Sequence, residues 1–388
     1  MAISRRSFVA ALGGTGALGA LTWRGHEQLL AQAPAQAPLQ GAAARRADRL
    51  LAARPGMVRL DSNENPYGAG ERVFGVIRSR LSASNRYPVK SEDDLAAAIA
   101  AVHGVRPENV ILGTGSGELL RAAVSAFCSR DRALVAPDPT FEAPANWAKF
   151  IGAPVVAPRV DAELRLDLDA MADGGRNAGL VYLCNPNNPT STVHSKADVT
   201  SFVERMGRTS PATTVLVDEA YHEYVDLPSY GTAIQRALAD PRVVVTRTFS
   251  KVFGMAGLRI GYMVGQPETL AKVSPWLLGS NVSELSLAAA AVAVGDAAHV
   301  AEEQKKNRAG REHAVKFFED AGYKVARSDA NFIMVDVRRD AKAFKLACVE
   351  RMVAVGRQFP SHPNWVRVSI GTLEEMKKAE PVFRRVLS

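Results

Sequence analysis

Five short apolar runs, each closed by polar or glycine-rich residues, set the fold class of this chain. ENVILG leads into GTGSG and a helical ELLRAAVSAF. DRALVAPDP stops at prolines, GLVYLC at NPNNP, TTVLVDEAY at an acidic pair, and RVVVTRTFSK at a lysine. Apolar runs without polar alternation are strands buried on both faces, and helical stretches between them supply the cover. This predicts an α/β fold with a mainly parallel central sheet. Such sheets bind ligands beyond the carboxyl ends of their strands. The residues that close each run are therefore the first candidates for a site.

The pattern changes near residue 284. SELSLAAAAVAVGDAAHVAEEQKKNRAGREHAVKFFEDAG reads as one long helix with its charges on one side. YKVARSDANFIMVDV, a helical AKAFKLACVERM and WVRVSIGT follow, in the manner of a smaller α+β domain. The expected organisation is an arm and part of the smaller domain over 47–80, a large domain over 81–283, and a C-terminal small domain over 284–388.

The first residues are a separate matter. Arg5-Arg6 precede Phe8 and a Gly/Ala-rich apolar run that ends at Arg24, too short to span a bilayer comfortably. A small-x-small site follows at Ala31-Gln32-Ala33. Residues 1–33 read as a twin-arginine export signal and 34–46 as an Ala/Pro/Gln-rich linker. The expected location is the periplasm, or the cytoplasm if the signal does not function, with no membrane anchor on the mature chain. The plainer reading of 1–33 is an amphipathic or unstructured tail.

The chain has 388 residues and a formal charge of +8, but the charge is scattered and no basic run is interleaved with aromatics. That excludes the usual footprint of a nucleic-acid partner. Cys128, Cys184 and Cys348 are widely spaced and odd in number, with no metal-binding pattern. Cys128 and Cys184 sit in apolar contexts and read as buried free thiols.

GTGSGELL and VLVDEAY together imitate the two motifs of an ATPase. The first motif requires Lys and Ser/Thr directly after its last glycine. Glu118, Leu119 and Leu120 stand there instead, and a carboxylate repels a triphosphate. The loop retains the capacity to hold a single phosphate on the amides of a helix N-terminus.

The strand ends supply Gly115, Ser116 and Gly117; Phe141 in PTFEAP; Asn188 in NPNNPT; Asp218 and Tyr221 in DEAY; and Thr248, Ser250, Lys251 and Arg259 in TRTFSKVFGMAGLRIGY. Each has an ordinary explanation alone. Asn188 suits a turn, Asp218 a helix cap, Phe141 a core, and Lys251 a surface with its stem covered. Their joint order is harder to explain that way.

The set resembles the fold-type I pyridoxal-phosphate aminotransferases of class I/II, with the histidinol-phosphate aminotransferase subgroup nearest. The likeness runs from about Leu60 to Thr372 through LDSNENPYG, NRYP, GTGSGELL, NPNNPT, VDEAY, TFSK-x7-R, ANF and VRVSIGT. It implies a large domain with a mainly parallel sheet, a smaller α+β domain, and pyridoxal 5'-phosphate as cofactor. Lys251 would hold the cofactor's aldehyde and then carry the proton; lysine suits both tasks because desolvation lowers its pKa. Asp218 would face the pyridine nitrogen. Asn188 and Tyr221 would meet the phenolic oxygen, and Phe141 would stack on the ring. Gly115, Ser116, Gly117, Thr248, Ser250 and Arg259 would hold the phosphate. Tyr87 of NRYP would reach the phosphate in a neighbouring subunit, which implies a homodimer. Arg367 would clamp the substrate α-carboxylate, and Tyr67, near Asn63 and Glu64, would border the substrate. Amino-acid and 2-oxo-acid substrates follow from the likeness, a histidinol-phosphate-like amine among them.

Two departures stand out. The family writes NPTG where this chain has Ser191, which adds a Cβ. The arginine that helps bind a substrate phosphate finds its counterpart in Arg357 of VGRQFPSHPNWVR, but the following segment is short and carries two prolines and a tryptophan. The alternatives are an amino-acid decarboxylase of the same fold and a periplasmic carrier of a pyridoxal vitamer. A carrier has no use for both Lys251 and Arg367.

Overall fold

The computed structural model describes residues 54–388. The expected export signal over 1–33, the linker over 34–46 and the start of the arm lie outside the described residues. Strand β1 (Val58–Leu60) precedes helices α1 (Gly70–Arg80) and α2 (Val89–His103). Then follow β2 (Val110–Gly113), α3 (Ser116–Phe127), β3 (Leu134–Val135), α4 (Ala143–Phe150) and β4 (Val155–Val156). Next come α5 (Leu168–Gly174), β5 (Leu180–Cys184), α6 (Lys196–Thr209), β6 (Thr214–Asp218) and α7 (Ile234–Ala239). After β7 (Val243–Thr248), β8 (Gly261–Val264) and α8 (Pro267–Val273) stand α9 (Glu284–Ala293) and α10 (Ala297–Asp320). The chain closes with β9 (Lys324–Val325), β10 (Phe332–Asp336), α11 (Ala341–Glu350), β11 (Val353–Val355), β12 (Trp365–Ser369) and α12 (Leu373–Leu387).

Seven strands form one sheet in the order β2-β8-β7-β6-β5-β3-β4. The neighbours from β7 to β4 are parallel, while β8 runs antiparallel to both β2 and β7. The continuous apolar runs now have a cause. Val181, Leu183, Val215, Val217, Val243 and Val245 pack on one face with Leu95 and Ile99 of α2 and Phe202, Val203 and Met206 of α6. Leu180, Tyr182, Leu216, Val244 and Met263 pack on the other with Leu119, Leu120 and Val124 of α3 and Leu270 of α8. Both faces are covered, which is why apolar residues fill successive positions instead of alternating with polar ones; each fully buried Val or Leu contributes about 1.5–3 kcal/mol.

The stretch Thr246–Tyr262 spans the turn between two antiparallel strands. Thr248 pairs with Gly261, and Phe249 N donates to Ile260 O at 3.2 Å. The register carries Ser250 and Arg259 to the same end of the sheet. A Cβ on Gly261 would lie 2.5 Å from Ser116 N, so glycine there lets the start of α3 close onto the sheet.

A second core is formed by the sheet β12-β10-β9, the parallel pair β1–β11, and α10, α11 and α12, with Leu60, Phe318, Ile333, Phe344, Val368 and Phe383 inside. The boundaries expected at 80/81 and at 284 do not follow the packing. Helix α9 lies on α1 and α2, and its Leu287, Ala289 and Ala290 share the large core with Val73 of α1. An alanine-rich helix that is apolar around most of its circumference is a core helix, and it stays with the large sheet. The long helix expected from 284 onward is also two helices, bent by 84° at a break that contains Gly295. There Asp296 accepts a hydrogen bond from His299 N at 3.1 Å and starts the second helix. Among the described residues no single helix is long and apolar enough to cross a membrane. Cys128, Cys184 and Cys348 are free and buried.

Candidate active site

The site grows from the aligned ends of β5, β6 and β7. Cys184, Asp218 and Thr246 stand side by side in the ladder. Asp218 is 3% exposed. Its Oδ2 accepts from Tyr182 Oη at 2.7 Å and its Oδ1 from Thr246 Oγ1 at 3.2 Å. Burial pushes its carboxyl up to about 6, against the pull of those hydroxyls and of Lys251. A carboxylate so held, with no ion pair among the described residues, is suited to a cationic N–H brought by a ligand.

Lys251 projects from the turn after β7. Its Nζ donates to Asn63 O at 3.1 Å and lies 5.4 Å from the centre of the Tyr221 ring. Burial, then the Arg367 guanidinium, push its amine down to about 8, opposed by Glu64 and Asp218. Tyr221 Oη accepts from Asn63 Nδ2 at 3.1 Å and from Asn188 Nδ2 at 3.3 Å, and burial holds its hydroxyl in the neutral form. Asn188 Oδ1 in turn accepts from Arg367 Nη1 at 2.7 Å, while Arg367 Nη2 donates to Asp61 O at 2.6 Å. Arg367 Nε is buried without a partner, and the guanidinium has no carboxylate in salt-bridge contact among the described residues. The structure therefore brings Asp218, Tyr221, Asn188, Lys251 and Arg367 into one connected group.

A second cluster lies beside it. Gly115 precedes α3 at φ 75°, and no side chain caps that helix. A Cβ on Gly115 would sit 2.2 Å from Arg259 Nη2, so only glycine lets the guanidinium approach the helix start. Arg259 Nη1 donates to Ser250 Oγ at 3.4 Å and to Ala256 O at 2.9 Å, and Thr248 Oγ1 is 3.0 Å from Ser250 Oγ. Backbone amides of Ser116 and Gly117, two hydroxyls and an arginine with no acidic partner among the described residues form a donor set that fits a phosphate group. Together with Lys251 and Asp218, this cluster fits the cofactor that the resemblance implies.

The remaining candidates are placed differently. Phe141 is half-buried between β3 and α4. Tyr87 is 85% exposed. Tyr67 lies under Lys306 Nζ, 4.7 Å from its ring centre, and lines a small cavity with Glu303 and Asn331. Arg357 forms an ion pair with Glu142, and its guanidinium lies over the Phe359 ring at 4.4 Å. Ser191 adopts φ 63°, the left-handed geometry that glycine takes freely and that costs other residues about 1–2 kcal/mol. Its N donates to Asn187 O at 2.7 Å and its Oγ to Arg327 O at 3.3 Å.

Two residues that complete the group, Tyr182 and Thr246, carried no signal in the sequence, and the bonds among Asn63, Asn331 and Ser369 were not visible although their motifs were. Tyr182 sits in a strand buried at all five positions, so periodicity does not single it out. Thr246 looks like any β-branched strand residue. Ser369 Oγ donates to Asn63 Oδ1 at 2.8 Å and accepts from Asn63 N at 2.8 Å, while Asn331 Nδ2 donates to Asn63 O at 3.1 Å. These bonds join β12 and β10 to the lysine and tyrosine, and long-range contacts of that kind leave no local pattern.

The depressed Lys251 pKa makes a stability prediction for the cofactor-free protein. The unfolded lysine titrates near its ordinary 10.5 and the folded one at about 8, so the unfolded chain binds more protons between those values. The cost of burying the ammonium is fully present below about 8 and fades as pH rises toward 10.5. Apoprotein Lys251→Met is expected to be more stable than the unsubstituted apoprotein in urea at pH 7. That advantage should shrink across pH 8–10.5; an advantage independent of pH would contradict the assignment.

With this geometry in view, the chain can be set beside known proteins. The family described as aminotransferase class I and II matches residues 55–380. The histidinol-phosphate aminotransferase of Symbiobacterium thermophilum is 35% identical over 334 residues, covering 85% of this chain and 91% of that protein. That of Moorella thermoacetica is 32% identical, covering 86% of each. The structure of histidinol-phosphate aminotransferase from Sinorhizobium meliloti, solved in complex with pyridoxal-5'-phosphate, superposes with a TM-score of 0.80 at 26% identity, covering 92% of this chain and 96% of that one. The chain belongs to the class I and II aminotransferase family.

Proposed function

We propose that the chain is a pyridoxal-phosphate-dependent aminotransferase that moves an amino group from an L-amino acid, or from a histidinol-phosphate-like amine, to a 2-oxo acid. The carrying observation is Lys251: a half-buried lysine whose amine is lowered to about 8, joined through Asn63 and Tyr221 to Asn188 and Arg367, with Asp218 at the adjoining strand end. When bound, pyridoxal phosphate supplies an aldehyde for the amine and an electron-withdrawing ring for the substrate's Cα.

Each residue then has a task. Lys251 is deprotonated in an appreciable fraction near neutral pH, so its Nζ acts first as nucleophile and then as the base that moves the Cα proton. Asp218, fixed by Tyr182 and Thr246, holds a proton on the ring nitrogen. Tyr221 and Asn188 present hydrogen-bonding groups to the phenolic oxygen. Ser116 and Gly117 amides, Thr248, Ser250 and Arg259 hold the phosphate, with Gly115 providing room, and Phe141 covers the ring. Arg367 offers its guanidinium to a carboxylate, and Tyr67 and Arg357 border the substrate. A decarboxylase of the same fold would share the ring contacts, but the relatives are transaminases.

Purified protein mixed with pyridoxal phosphate is expected to gain a visible absorbance band and to aminate a 2-oxo acid. Lys251→Ala should lose that transfer by about 10²–10⁴-fold or more. An unsubstituted protein that takes up no cofactor would contradict the reading.

Two features extend it. The exposure of Tyr87 supports a homodimer in which this side chain reaches the partner's cofactor phosphate. Sedimentation should give the mass of two chains, and Tyr87→Ala should weaken cofactor retention; a monomer with full activity opposes this. The Arg5-Arg6 pair supports export of the folded protein by the twin-arginine route. Lysines at both positions should trap the protein in the cytoplasm, and unchanged periplasmic delivery would remove the support.

A further inference from the structure

Two hydrogen-bond chains start on β12 and end on one phenol oxygen. Arg367 and Ser369 stand two positions apart on this strand, so their side chains leave the same face. Arg367 Nη1 donates to Asn188 Oδ1 at 2.7 Å, and Asn188 Nδ2 donates to Tyr221 Oη at 3.3 Å. A guanidinium only donates, so the Asn188 atom that faces it is the oxygen, and the nitrogen is turned toward Tyr221. Ser369 Oγ accepts from Asn63 N at 2.8 Å and donates to Asn63 Oδ1 at 2.8 Å, and Asn63 Nδ2 donates to Tyr221 Oη at 3.1 Å. Turning the Asn63 amide over would leave the hydrogen of the buried Ser369 hydroxyl without its acceptor, which opposes the flip. The Asn63 carbonyl holds Lys251 Nζ and Asn331 Nδ2, which fixes the residue from its other side. Both chains therefore deliver an N–H to Tyr221 Oη. A phenol oxygen has two lone pairs and one hydrogen, and both lone pairs are now taken. Burial keeps the hydroxyl protonated, and its hydrogen has no acceptor among the described residues. A buried donor in this state calls for an acceptor that a ligand brings.

We infer that Asn63 and Ser369 are positioning residues that act through Tyr221: with Asn188 they occupy its oxygen and make its hydroxyl a one-way hydrogen-bond donor to the phenolic oxygen of the cofactor. The inference rests on the transaminase reading above. Direction matters because that phenolic oxygen lies beside the nitrogen that Lys251 contributes, and the two share a proton. A donor on the oxygen makes it a poorer acceptor for the shared proton, so the proton leaves at a lower pH. A Tyr221 hydroxyl that donated to Asn63 instead would give up this effect. The two N–H bonds into Oη also polarise the O–H and strengthen it as a donor. Asn63 thus serves the cofactor's oxygen through its side chain and the lysine through its carbonyl.

The test reads the pH midpoint at which the visible absorbance band of the pyridoxal-phosphate-loaded protein changes, with no substrate present. Tyr221→Phe removes the donor and should raise that midpoint by about 1 unit or more. Asn63→Gly keeps the carbonyl under Lys251 and suits the φ of 53° at this position. Ser369→Ala removes one oxygen atom and leaves the strand in place. Each should raise the midpoint by about 0.4–1 unit, and by no more than Tyr221→Phe does. In the Tyr221→Phe background neither should move it further, because the hydroxyl through which they act is gone. A purely structural role would shift the midpoint equally in both backgrounds, and that result overturns the inference. So does a midpoint unmoved by Ser369→Ala, which alone decides the matter if Asn63→Gly does not fold. A Ser369→Ala protein that keeps its far-ultraviolet circular dichroism but takes up no cofactor also overturns it, since the hydroxyl then serves binding and not direction. In these cases the band of the unsubstituted protein leaves the transaminase reading standing. An unsubstituted protein that gains no band contradicts that reading and this inference together.

Discussion

Parallel pairing of β5, β6 and β7 is the constraint on which the site depends. It aligns Cys184, Asp218 and Thr246 in one row and sends each chain onward from the same edge. The segments that leave this edge carry Asn188, Tyr221 and Lys251. A slip of one residue in β6 would turn Asp218 to the other face of the sheet and away from the Tyr182 hydroxyl. Burial on both faces opposes such a slip, because every position of the three strands is already packed. The apolar sheet thus places a carboxylate where water does not solvate it, and two hydroxyls set its direction.

Electrostatics at this edge follows from the same placement. Desolvation raises the carboxyl of Asp218 and lowers the amine of Lys251, so the two pKa values move toward each other at about 6 and about 8. Neither group is spent on the other in a tight ion pair; Lys251 Nζ donates to a carbonyl and Asp218 accepts from hydroxyls. Both remain available to a ligand that brings an electrophile to one and an N–H to the other. Asn63 links this arrangement to the second core, since it bonds Tyr221, Ser369 and Lys251 at once. A shift of β12 is therefore transmitted to the lysine through one residue.

Much of this was legible in the sequence, for identifiable reasons. The strands were visible because double-sided burial writes continuous Val and Leu runs, and the glycine turn was visible because Gly115 must leave space for Arg259. Lys251 and Arg259 were visible through the TFSK-x7-R spacing at the end of an apolar run, although the intervening turn into the antiparallel β8 was not. What escaped were contacts without a local signature. Tyr182 reads as one more core residue, Thr246 as strand, and Asn63 gains its meaning only from partners about 160 and 300 positions away. The break at Gly295 was hidden because alanine-rich helix continues on both sides, and α9 joined the large core because nothing polar marks a face for solvent. Glu142 stood beside Phe141 in PTFEAP, but nothing local pointed to its ion pair with Arg357.

The central claim is that Lys251 and the Gly115–Arg259 cradle address the two ends of one cofactor. A crystal structure of the protein grown with pyridoxal phosphate measures this directly. The account predicts continuous density from Lys251 Nζ to the ring, the ring nitrogen against Asp218, and the phosphate between the Ser116 and Gly117 amides and Arg259. A cofactor bound elsewhere, or a Lys251 Nζ still bonded to Asn63 O beside an uncoupled ring, would contradict it.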